Sequence, residues 1–241
     1  MDLTIEKDEK AYALSDLNQK EFQLELWQDD FIYAPDRFPA MVSAWGTGKT
    51  LCLIIRSLIY AKLIPNNLGL ICRKEYNDLA DSTIRDFQDY TGLKVNSKRN
   101  VDLPNGSRIM FRHLEEIMGN SRRGQQNLQN INLGFAAIEQ AEELLTDRAF
   151  WLLWGRLRRK VKPTKEFLKL GLPLTSAWLI ANVAGDNWVK KLWKGKPEKQ
   201  FKLIEAKTHE NAHNLPAEFL QNLETMKRHK PEMYRRYVMN D

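Results

Sequence analysis

Residues 43 to 50 read Ser43-Ala44-Trp45-Gly46-Thr47-Gly48-Lys49-Thr50, residue types suited to the capture of a triphosphate. Glycines at 46 and 48 let the backbone curl so that successive N–H groups face phosphate oxygens. Lys49 offers a cation to the β- and γ-phosphates of ATP, and the Thr50 hydroxyl stands where such loops bind Mg²⁺. Ser43 occupies the usual place of a first glycine, which a small residue can fill while its φ stays negative. A phosphate loop of this kind needs a strand to fix its entry and a helix whose N-terminus carries partial positive charge. Residues 38–44, FPAMVSA, read as a short buried parallel strand. Residues 50–63 carry Leu51, Ile54, Ile55, Leu58 and Ile59 at helical spacing and stop before Pro65.

Gln28, in LWQDDF, lies ahead of that strand. Many nucleic-acid-dependent ATPases read the adenine edge with a glutamine there, since an amide donates and accepts together; a lone glutamine is otherwise surface polarity. A second apolar run, GFAAIEQAEEL (134–144), ends in Glu139 and Gln140. Fast P-loop ATPases end this strand with Asp, which holds Mg²⁺, and then Glu, which polarises the attacking water. Glu139 can reach the magnesium through a bound water; Gln140 can orient a water but cannot take its proton. Three readings of Gln140 stand side by side. It is natural, with Glu139, Glu142 or Glu143 carrying the basic role; or it replaces a glutamate to trap ATP; or the stretch is a buried strand running into an acidic helix start.

The remaining pattern supplies the elements that position these groups. Strands are expected at 68–73, after the Asn105-Gly106 turn within 102–114, and at 132–139, 176–183 and 201–206. Helices are expected at 75–92, at 141–159 and in the tail from Pro216. Strands alternating with helices predict a three-layer α-β-α sandwich around a mainly parallel sheet, the P-loop (ASCE/RecA-like) ATPase architecture, with a helical tail. The expected division is an ATPase domain over 1–215, N-terminal helical segment included, and a tail or linker over 216–241.

Bulk properties agree with a soluble chain. Its 241 residues are 43% hydrophobic and 10% aromatic, ample for a buried core. The net charge of +6 permits a polyanionic partner without requiring one. Cys52 and Cys72 sit in apolar stretches without metal-like spacing and read as buried thiols of a reducing compartment. No run is long and apolar enough for a membrane span, and MDLTIEKDEK lacks the apolar centre of a signal peptide, which points to the cytosol.

With both site stretches in place, the chain resembles the ATPase half of phage terminase large subunits, the motors that package double-stranded DNA into procapsids. SAWGTGKT, LICRKEYNDLADSTIRDF, LPNGSRIMFRHL, SRRGQQN, FAAIEQAEEL, LIANVAGDNWVKKLW and THENAHNLPAEFLQNL carry the resemblance, in that order. It implies that Asn182, in LIANV, couples hydrolysis to movement. It also implies that Arg123, beside Arg122 in SRRGQQN, is an arginine finger presented to a neighbouring subunit's ATP; a flexible basic loop is the other reading. A homo-oligomeric ring that is a monomer in isolation, a procapsid portal, a terminase small subunit and the host cytoplasm are implied as well. A nuclease domain would follow about where this chain ends. Two departures stand out: Trp45 where the family often has a basic residue, and Glu139-Gln140 in place of Asp-Glu.

Residues 156–169 hold seven basic residues against one acid, and Arg156, Arg158, Arg159, Lys160 and Lys162 are candidates to track DNA phosphates; a solvated face is the other reading. A second basic run spans 190–202. Trp151, Trp154, Trp178 and Trp188 read as core or interface residues. Two further functions remain open: a superfamily 2 helicase-like DNA-dependent ATPase, and a nucleotide-binding subunit with little turnover.

Overall fold

Short apolar runs bounded by turns build the sheet. A computed structural model of the chain describes residues 24–114, 131–183, 185, 187–195 and 198–241. Seven strands form one sheet in the order β3-β4-β2-β5-β6-β1-β7. They are β1 (Phe38–Ser43), β2 (Leu68–Arg73), β3 (Asn100–Asp102), β4 (Arg108–His113), β5 (Phe135–Ile138), β6 (Ser176–Ala181) and β7 (Phe201–Ala206). Every neighbouring pair is parallel except β3 with β4, which the Asn105-Gly106 turn joins antiparallel. β5 and β6 are buried along their whole length, as strands covered on both faces must be.

The helices are α1 (Leu26–Ile32), α2 (Lys49–Lys62) and α3, a continuous rod of Tyr76–Asp78, a π-helical Leu79–Ile84 and Arg85–Thr91. They are followed by α4 (Arg148–Trp154), α5 (Lys165–Lys169), α6 (Trp188–Lys190, continuing as π-helical Lys191–Gly195), α7 (Ala217–His229) and α8 (Pro231–Val238). One apolar cluster packs α1, α2 and α3 on one face of the sheet; a second packs α4 and α6 on the other. That is the three-layer sandwich the alternation predicts. Cys52 and Cys72 are free and buried in these cores, as are Trp178 and Trp188, whereas Trp151 and Trp154 are 42% and 43% exposed.

Arg56 is the unusual core residue. It lies wholly buried on α2, and its guanidinium donates to the carbonyls of Phe31 (2.9 Å), Ile32 (2.8 Å) and Ala34 (3.1 Å). Its Cζ lies 5.1 Å from the centroid of the Trp178 ring. Those carbonyls belong to the end of α1 and the turn after it, so one cation ties the helix carrying Gln28 to the helix that follows the phosphate loop.

The helix expected over 141–159 is shorter. Ala141–Glu143 make a single 3₁₀ turn, Leu144 is extended, and α4 begins only at Arg148. Gly155 closes it, and Leu157 instead bridges Leu133 in parallel pairing beside β5. Pairing at the sheet margin outcompetes helix propensity there. α5 and α6 had no expectation in the sequence.

Candidate nucleotide-binding site

The β1–α2 connection forms the predicted loop. Gly46 (φ +70°) and Gly48 (φ +72°) adopt left-handed conformations that admit glycine readily. Ser43 is the last residue of β1, with no positive φ, so the serine substitutes without strain. Its hydroxyl also spans the loop to Thr47 Oγ1 at 2.7 Å, and Thr47 Oγ1 donates to the Ala44 carbonyl at 2.9 Å. The serine is therefore a strut. Lys49 Nζ rests on the carbonyls of Ser43 (3.1 Å) and Ala44 (2.7 Å). Burial lowers the Lys49 pKa to about 8, against the opposing pull of Glu142, Cys52 and Glu139.

Glu139 closes the far side. Thr50 Oγ1 donates to its Oε1 at 2.8 Å and Thr83 Oγ1, from the π-helical part of α3, donates to its Oε2. Burial raises the Glu139 pKa, and the two threonine hydrogen bonds work against that rise. Thr83 was not anticipated; one threonine in a polar amphipathic helix carries no distinguishing signal, and the π turn that aims it leaves no mark in sequence. Gln140 sits in the left-handed region (φ 50°, ψ 50°), rare for a non-glycine residue. Asn182, just past β6, donates its amide both to Gln140 Oε1 and to Glu142 Oε1, each at 2.7 Å. Glu143 is bound at 2.8 Å to Arg73.

These groups line a cleft of about 530 Å³ at the carboxyl ends of β1, β5 and β6. That is where ligands of parallel α/β sheets bind. Trp45, Gly46, Thr47, Gly48, Lys49, Thr50, Glu139, Gln140 and Asn182 all border it, as do Asp86 and Tyr90 of α3. Burial raises the pKa of Asp86, and nearby Asp89 adds to the rise. Leu215, Pro216 and Phe219 complete the rim, and the 3₁₀ segment Thr208–Asn214 before them braces the loop. Thr208 Oγ1 donates to the Trp45 carbonyl and Asn211 Nδ2 to that of Gly46, both at 2.7 Å. The Trp45 ring stacks on Tyr237 of α8 with centroids 4.4 Å apart.

Gln28 has a different setting from the one its position suggests. It is 3% exposed and does not border the cleft; its Nε2 donates to the Thr47 carbonyl at 3.0 Å and its Oε1 accepts from Glu25 N. A Cβ on Gly48 would lie 2.8 Å from that amide nitrogen, so glutamine and glycine are matched there. Arg123 lies outside the described residues. Arg156, Arg158, Arg159, Lys160 and Lys162 lie away from the cleft; Arg158 holds Asn132 Oδ1 at 2.6 Å and Arg159 Nε holds the Asn66 carbonyl at 2.8 Å.

Fold and loop together define a P-loop α/β protein of RecA-like architecture. The sequence matches the phage terminase large subunit family over residues 36–240, and the chain belongs to it. No curated protein matches the chain. Among solved structures, it is similar to the large terminase ATPase domain of Thermus phage P74-26, with TM-score 0.60, 11% identity, and coverage of 90% of this chain and 93% of that one. It is also similar to the HK97 bacteriophage large terminase, with TM-score 0.68, 10% identity, and coverage of 98% and 55%. A large terminase of a thermophilic bacteriophage in complex with ADP matches with TM-score 0.63, 13% identity, and coverage of 90% and 53%. The chain thus spans about half the length of those two large terminases.

Proposed function

We propose that the chain is the Mg²⁺-dependent ATP-hydrolysing motor of a terminase large subunit, moving double-stranded DNA into procapsids in the cytoplasm of an infected bacterium. The observation that carries this is the Thr50–Glu139 hydrogen bond of 2.8 Å, which brings the phosphate-loop hydroxyl and the strand-end acid to one point of the cleft. Mg²⁺ fits this pair: both are hard oxygen donors, and the ion keeps most of its octahedral shell as water and phosphate. No group of three His, Cys, Asp or Glu among the described residues forms a cage for it. Bound there, the ion would offset charge on the phosphates.

The chain's own residues supply the rest. The amides around Gly46 to Thr50 bind phosphate oxygens, and Lys49 leaves its two carbonyls to meet the β- and γ-phosphates. Gln28 holds the loop from behind. Asn182, one residue past a central strand and donating to Gln140 and Glu142, would relay the loss of the γ-phosphate. Arg123 of a neighbouring subunit would add a guanidinium within a ring, and the portal and small subunit would be its other partners. The basic residues from Arg156 to Lys162 would follow DNA phosphates, a contact weakened by salt.

Phosphate release measured with and without double-stranded DNA tests the reading. The wild-type chain should hydrolyse ATP faster with DNA. Lys49→Ala should lose nucleotide affinity on the order of 100-fold, since two charge-assisted hydrogen bonds to phosphate disappear. Unchanged affinity in that variant would refute the loop assignment. Binding without any release by the wild type would favour a nucleotide-binding subunit, the reading Gln140 keeps open.

A further inference from the structure

Ser57 and Thr91, buried on α2 and α3, spend their hydroxyl protons on their own helices. Ser57 donates to the Leu53 carbonyl at 2.7 Å and Thr91 to the Phe87 carbonyl at 2.6 Å, each four residues back. Thr83 behaves differently. It lies fully buried on the stripe of α3 that also carries Leu79 and Phe87. Its hydroxyl has one proton, and that proton goes across to Glu139 Oε2, just past the end of β5. The π-helical stretch Leu79–Ile84 aims it there: bonding five residues back rather than four, it turns the side chain off the line to its own helix's carbonyl. Glu139 is buried, and its other oxygen, Oε1, accepts from Thr50 at 2.8 Å. A glutamate has one more rotatable bond than the aspartate usual at this strand end, so its carboxylate needs a second anchor to stay in place.

Resting on the ATPase reading, we propose that Thr83 is a positioning residue for Glu139, pinning one carboxylate oxygen so that the other stays with Thr50 where Mg²⁺ would be held. Thr83 does not border the cleft itself, whereas Asp86 and Tyr90 further along α3 do. The hydroxyl therefore acts through the acid. Without it, Oε2 is buried with no side-chain donor, and the carboxylate gains by rotating to find one, which draws Oε1 away from Thr50. Hydrogen bonds behind a ligating side chain orient metal sites in this way in general. The contact also suits a glutamate in particular. An aspartate, one methylene shorter, would keep its oxygens nearer the strand and further from α3.

The test reads affinity rather than turnover. A fluorescent ATP analogue is titrated into the chain in EDTA and again in Mg²⁺, and the ratio of the two affinities is the gain the ion supplies. Thr83→Val keeps the shape and removes the hydroxyl, Thr83→Ser keeps the hydroxyl, and Glu139→Asp is made alone and together with Thr83→Val. Thr83→Val should lose about tenfold or more of the gain, while its affinity in EDTA stays within about threefold of wild type. Thr83→Ser should keep the gain. With Glu139→Asp in place, adding Thr83→Val should change the gain by less than about threefold, because the hydroxyl no longer has its partner. Thr83→Ala carries the same expectations and takes the place of valine if the valine variant does not fold. A full gain in the hydroxyl-free variant overturns the proposal. So does an equal loss of affinity in EDTA and in Mg²⁺, the mark of a merely structural threonine, and so does an equal cost of valine beside glutamate and beside aspartate. Each of these leaves the ATPase reading standing, whereas a wild-type chain with no gain from Mg²⁺ overturns both.

Discussion

Ser43 decides how the phosphate loop begins. A glycine at that place leaves the entry to the loop supported by backbone alone, whereas the serine hydroxyl reaches Thr47 at 2.7 Å and is fully buried with it. Ser43→Gly should therefore make the loop more usual and the protein less stable. The lost buried hydrogen bond and the added freedom of the unfolded chain each act against folding, together about 2 kcal/mol. Urea denaturation followed by fluorescence reads this directly. ATP affinity should stay within a few-fold, because Ser43 sends no side-chain donor into the cleft; a large loss of affinity with unchanged stability would contradict the strut.

At the scale of elements, α1, the phosphate loop and α2 behave as one clamp. Gln28 of α1 grips the Thr47 carbonyl, and Arg56 of α2 grips the carbonyls that end α1. Arg56→Leu should cost about 3 kcal/mol, since the buried carbonyls lose their charged donor. It should also weaken ATP binding by slackening Gln28, although Arg56 borders no part of the cleft; calorimetric melting with and without ATP separates the two effects. Little of this clamp was legible in sequence. The strands around the loop were, because continuous apolar runs between turns leave few options, and so were the loop and the acid at 139. The partner of Arg56 was not, because a backbone carbonyl has no sequence signature. The shortened helix after Glu139 escaped for a related reason. Its residues favour helix, and only the left-handed turn at Gln140 and the Leu133–Leu157 bridge, both tertiary effects, remove them from it. Gln28 was found in the sequence for its position, and its amide proved to be spent on the loop.

For the whole molecule the question is charge. Among the described residues bordering the cleft, Lys49 is the sole cation, and Glu139 and Asp86 border it too. A triphosphate brought there with one Mg²⁺ keeps negative charge that grows on the oxygens as the γ-phosphoryl group transfers, so a further cation has to come from elsewhere. Arg123 is the proposed source, and a head-to-tail ring interface would deliver it from the adjacent copy. Complementation distinguishes this from delivery within one chain. Lys49→Ala chains cannot use their own site but still carry the arginine; Arg123→Ala chains have an intact loop but offer no arginine onward. Each should be inactive alone in an assembled motor. Mixed in equal amounts before assembly, they should regain up to about a quarter of wild-type phosphate release, the fraction of intact loops that face an intact arginine at random ring positions. A mixture no more active than its parents would mean that Arg123 serves its own chain or none. Recovery that disappears on dilution below the assembly concentration would tie the arginine to the neighbour, because dilution separates subunits and leaves each loop as it was.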